Sequence, residues 1–101
     1  MSADNGIYIL ITPVSTGSIA KQYRVVHSQN IEEICWDKQA KKLADTIQPE
    51  MLMERFGNAS PFSDECVAYK RAFKMARDIR DEGAPLEYGV SEIEYDKPFP
   101  T

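Results

Sequence analysis

Residues 7–12, Ile7-Tyr8-Ile9-Leu10-Ile11-Thr12, closed by Pro13, decide the fold. All but Leu10 are β-branched or aromatic, the side chains that fit a pleated surface. Ile7, Ile9 and Ile11 share one face of such a strand; Tyr8, Leu10 and Thr12 share the other. Both faces are apolar, so the run predicts an inner strand covered over most of its area.

Outward from it, residues 14–22 include Ser15-Thr16-Gly17-Ser18, a loop composition. Tyr23-Arg24-Val25-Val26-His27 then reads as a second strand of about five residues, the return arm of a hairpin. The middle has a helical pattern. Asn30 with Glu33 resembles a capping box, and Ile31, Ile34, Cys35, Trp36, Ala40, Leu43, Ala44 and Ile47 recur at helical spacing, with a break near Asp37-Lys38. Pro49 suits the first position of a short helix over 50–56, stopped by Gly57.

Residues 64–81 predict the strongest helix. Ser63 can cap it, Asp64 and Glu65 suit its positive end, Arg77 and Arg80 its negative end, and Gly83 ends it. Tyr69, Ala72, Phe73, Ala76 and Ile79 form its expected apolar stripe. After Pro85, residues 86–95 read as a last strand. Its alternation changes phase between Val90 and Ile93, which predicts a bulge or a strand sandwiched on both faces. Two prolines keep residues 96–101 out of a sheet interior. The expectation is one α+β domain over residues 1–101: a small two-layer domain whose sheet has about three, mainly antiparallel strands, packed by helices in ββααβ order.

The net charge of −4 gives the molecule no general attraction to nucleic acid or anionic membrane, so polyanion contact would need a local patch. Met1-Ser2-Ala3-Asp4-Asn5 has no signal-peptide pattern and no apolar run could span a bilayer, so the cytoplasm of a host cell is the expected compartment. Cys35 and Cys66 have no paired spacing and are expected to be reduced and mostly buried.

Few residues suggest chemistry. Gly6-Ile7-Tyr8 followed by Tyr23 is how a family of metal-dependent DNA nucleases begins, but the second strand reads Tyr23-Arg24-Val25, without the glycine that family places there. Its helical arginine and metal-binding glutamate have no counterpart that can be assigned. The sole histidine, His27, has no marked orienting group, and one His with two distant Cys makes no structural zinc site. No catalytic residue, metal or cofactor is therefore expected. Lys70, Lys74 and Arg77 lie at i, i+4 and i+7 with Arg71 alongside, a basic helical stripe in an acidic chain. It reads either as a solvated face tempered by Asp78 and Asp81 or as an anion contact. Arg24 and His27 are second choices for such a contact, and Trp36 could supply a stacking surface.

Residues 2–9 (SADNGIYI), 23–32 (YRVVHSQNIE), 56–64 (FGNASPFSD) and 86–100 (LEYGVSEIEYDKPFP) together resemble a family of short, mostly uncharacterised proteins of phage and prophage genomes. The resemblance implies a phage accessory protein and brings no catalytic residues with it. Such proteins often bind and block a host process, immune systems included. The expected function is a binding protein without catalysis that counters a host defence by occupying a protein complex or by sequestering a small anionic nucleotide. An acidic chain can also imitate nucleic acid to a basic partner. A metal-dependent nuclease and a structural or regulatory phage component are the alternatives. The short second strand, apolar on both faces, is an expected sheet edge, and its burial against a second copy predicts a homodimer.

Overall fold

The computed structural model describes residues 5–29, 36–37, 42–43, 49–83, 86 and 89–100. In chain order these form β1 (Asn5–Pro13), β2 (Lys21–Gln29), β3 (Trp36–Asp37), β4 (Lys42–Leu43), α1 (Pro49–Phe56), α2 (Glu65–Asp81) and β5 (Val90–Glu94). The domain is α+β. Its strands lie in the order β2-β1-β5-β4-β3, so the apolar run of residues 7–12 is the inner strand of the three principal ones. β1 pairs antiparallel with β2 from Asn5↔Gln29 to Pro13↔Lys21, and parallel with β5 from Ile7↔Val90 to Ile11↔Glu94. The sheet is thus mixed, with the antiparallel ladder the longer of the two.

β2 has nine residues, not about five. Lys21 and Gln22, assigned to the loop by composition, pair with Pro13 and Thr12. The turn tightens to residues 14–20, where Val14 N–H donates to the Ala20 carbonyl (3.0 Å) and Gly17 takes φ +77°. A second correction concerns the middle. Residues 36–37 and 42–43 are extended rather than helical, and Lys42 pairs with Glu94 on the outer edge of β5. That strand edge offers hydrogen-bond partners to an extended segment and none to a helix, so tertiary pairing overrides the weak periodic pattern. The remainder of the predicted 31–47 helix, with Cys35, lies outside the described residues.

The helical cover is divided between the two faces of the sheet. Ile7, Ile9 and Val25 pack against Ala68, Ala72 and Ala76 of α2. Tyr8, Leu10 and Ile93 pack against Leu52 and Phe56 of α1 and against Phe99 of the C-terminal segment. β5 resolves its apparent phase change by serving both clusters: Val90 joins the first and Ile93 the second. The parallel ladder runs through residues 90–94 unbroken, so the sandwiched strand is found and not the bulge.

α1 occupies the expected residues, with Pro49 first and Gly57 after its end. A Cβ on Gly57 would collide with the Met53 carbonyl oxygen, so the chain leaves the helix where only glycine fits. α2 is capped by Asp64 rather than Ser63; the carboxylate accepts from Cys66 N–H at 2.8 Å. Gly83 ends it at φ +81°.

The face that α2 buries also differs from the expected stripe. Ala68, Ala72 and Ala76 are buried, whereas Phe73 is 59% exposed. These alanines recur at i, i+4 and i+8, one row along the helix. Their small side chains let the helix backbone approach the isoleucines of β1, while Tyr69, Met75 and Ile79 fill the flanks. Phe73, one residue on from Ala72, is turned about 100° away from that contact.

One core position is polar. The Thr12 hydroxyl is fully buried and has no hydrogen-bond partner among the described residues. A buried hydroxyl without a partner costs stability that a methyl group would not. Thr12→Val is therefore expected to stabilise the domain by about 1 kcal/mol, read as a higher midpoint in urea unfolding. An equal loss would mean that the hydroxyl is satisfied.

Candidate functional site

α2 places its largest unburied side chains on its outer side. Cys66, Tyr69, Lys70, Phe73, Lys74 and Arg77, at i, i+3, i+4, i+7, i+8 and i+11, line one shallow groove there. Phe73 stands at its centre, with the Tyr69 ring 6.3 Å away and tilted by 35°. Val67, 45% exposed, adds further apolar surface to the same helix. Lys74 Nζ meets Asp78 Oδ2 at 3.0 Å, an exposed i, i+4 pair that offsets part of the charge of this face. Three members of the basic stripe, Lys70, Lys74 and Arg77, thus lie together, and they rim Phe73, an aromatic expected in the core.

The other candidates fall elsewhere. Arg71 leaves the stripe: with Met75 it sits on the opposite flank of α2, where both line a cleft shared with His27 of β2. Asn58, Ala59, Ser60 and Phe62 line that cleft with Val25 and Val26 of β2; these four residues of the 56–64 stretch carry the resemblance but are not among the site candidates read from the sequence. Arg24 belongs to neither place. Its register partner is Leu10, on the sheet face away from α2, and its guanidinium carbon lies 3.8 Å from the centroid of the Phe99 ring. Nη1 also donates to Gln22 Oε1 at 3.4 Å. Burial lowers the pKa of Arg24 below its ordinary value. It is a packed cation–π group that helps hold the C-terminal segment. Trp36 falls in β3, and its side chain lies outside what the structure describes.

Two further groups bear on chemistry. Cys66, expected to be buried, is exposed at one end of the α2 groove. Two residues before the buried Ala68, it lies about 200° round the helix from the packed row. The Tyr23 phenol is pushed up from its usual value, first by burial and then by the Glu65 carboxylate. Among the described residues no three His, Cys, Asp or Glu side chains are grouped to hold a metal ion. No described helix is long and apolar enough to cross a membrane.

No family model matches this chain, nor does any curated protein or solved structure.

Proposed function

We propose that this domain is a binding protein without catalytic activity and that the outer face of α2 is its docking surface for an acidic partner protein. The observation that carries the reading is Phe73, 59% exposed between Lys70, Lys74 and Arg77. An exposed aromatic ringed by cations has the composition of an interface anchor with a polar rim. Phe73 and Tyr69 would bury against apolar groups of the partner, and the cations would meet its carboxylates. The patch also disfavours pairing with itself, because a two-fold contact would set Lys70, Lys74 and Arg77 against the same cations.

The resemblance to phage and prophage proteins supplies the biological setting of the proposal: the partner is a component of a host defence complex, and occupying it blocks that complex. The test is co-purification from a defence-bearing host with the wild-type chain and with Phe73→Ala. The partner should accompany the wild type and be lost from the variant at unchanged stability. Retention by both would remove the α2 face from the reading.

A metal-dependent nuclease is the alternative. Tyr8, the tyrosine of the Gly6-Ile7-Tyr8 start, is 2% exposed and packed in the cluster that holds Leu52 and Phe56, which favours a packing role. Plasmid DNA incubated with the protein and Mg²⁺ or Mn²⁺ is expected to remain uncut. Cleavage that disappears in both Tyr8→Phe and Arg24→Ala would reverse the assignment.

A further inference from the structure

The outer edge of β2 offers a second docking feature, which does not rest on the reading of the α2 face. Tyr23 N–H donates to the Phe62 carbonyl at 2.9 Å, and Phe62 N–H donates to the Tyr23 carbonyl at 2.8 Å. Both backbone groups of Tyr23 therefore point away from β1. The β1–β2 register is continuous, and backbone groups reverse direction at each residue of a strand, so Val25 and His27 also present theirs outward. The opposite residues agree. The Ile11 carbonyl and Ile7 N–H turn toward the β5 side, to Tyr95 and Gly89 at 3.0 and 2.8 Å.

Among the described residues, no segment pairs with the outer edge at Val25 or His27. Beyond the Phe62 bridge, residues 58–60 and the strand instead bound a cleft of about 420 Å³, closed on its third side by Arg71 and Met75. Val25, Phe62 and Met75 make the cleft partly apolar, and no carboxylate lines it among the described residues. Arg71 makes no ion pair among them either.

We propose that this edge takes an extended, acidic segment of a partner protein as an added strand, hydrogen-bonded at Val25 and His27 and with a carboxylate on Arg71. A free strand edge gives affinity through the backbone alone. Arg71 then selects for acidic segments, since its planar fork matches a carboxylate. The chain already uses this edge in the same way, with its own Phe62 at Tyr23. A second copy fits less well than a single segment. Its own β2 carries the same bridged 58–62 segment, so pairing two edges would bring two such segments and two Arg71 guanidinium groups into one cleft. This weighs against the homodimer expected from a bare edge.

The test follows backbone amide exchange by NMR in the full chain, using a synthetic hexapeptide of alternating Val and Glu and its Val/Lys counterpart. The Val/Glu peptide should slow exchange at Val25 and His27 at least tenfold and shift the Asn58–Phe62 amides, and the Val/Lys peptide should not. His27→Pro removes one outward donor while leaving the β1 ladder intact, as proline permits on an edge, and should abolish the protection. Arg71→Glu should reverse the preference between the peptides. Phe73→Ala should leave peptide binding unchanged, which separates this site from the α2 groove. No protection, equal protection by both peptides, or survival of the effect in His27→Pro would overturn the proposal. So would loss of binding in Phe73→Ala. Protection that grows with protein concentration alone would assign the edge to a second copy.

Discussion

Phe56→Ala is expected to cost about 3–5 kcal/mol of folding stability, while Phe73→Ala, in the longer helix, costs less than about 1 kcal/mol. Phe56 is fully buried against Tyr8 and Leu10, with Leu52 of its own helix beside it. Its removal both exposes apolar surface and leaves a cavity that a two-turn helix closes poorly. For a domain of this size the loss is a large part of the total. Phe73 has most of its ring in water already, so truncation forfeits little beyond its contact with Tyr69. Urea unfolding of the two variants checks the pair. Equal losses would mean that α2 packs through the Phe73 face after all.

The second large effect concerns binding. Lys74→Glu with Arg77→Glu should weaken partner binding about tenfold or more, and Phe73→Ala about thirtyfold, at unchanged fold. The two act on different quantities. Reversing rim charges removes long-range attraction, so association should slow and its salt dependence flatten over the range where the Debye length falls below about 8 Å. Losing the aromatic anchor should instead speed dissociation. Calorimetry or surface-based kinetics at two salt concentrations separates them. Affinity and salt slope that survive both charge reversals would return the basic stripe to solvated surface.

Much of the fold was legible because local signals agreed with tertiary demands. The two-sided apolar run of residues 7–12 is the inner strand, Pro49 and Gly57 bracket α1, and Gly83 ends α2. The failures have physical causes. Phe73 shares helical spacing with Tyr69, Ala76 and Ile79, but the row that α2 buries is Ala68, Ala72 and Ala76 at i, i+4 and i+8, and Phe73 lies beside that row rather than on it. In the middle of the chain, a sheet edge created by β5, some fifty residues away, drew Lys42 into pairing. No window of local sequence contains that demand.

The candidate site was half legible for related reasons. Lys70, Lys74 and Arg77 could be grouped by spacing alone, because they share one helix face. Arg71 was assigned to that group by proximity in sequence, but its phase carries it to the β2 flank beside His27. The cleft there joins residues from β2, the 58–62 segment and α2, and only the folded chain brings these together. Arg24 was singled out for its charge, and the structure spends that charge on the Phe99 ring.

The most direct test of the docking face replaces Phe73 with a photo-crosslinking phenylalanine analogue in a defence-bearing host. A control carries the same analogue at Ile19, which is 97% exposed in the β1–β2 turn. A defined acidic partner should crosslink from position 73 and not from position 19, and the crosslink should disappear when Lys74→Glu and Arg77→Glu are added. The same products from both positions, or a crosslink indifferent to the charge reversals, would contradict the assignment of the outer α2 face as the binding surface.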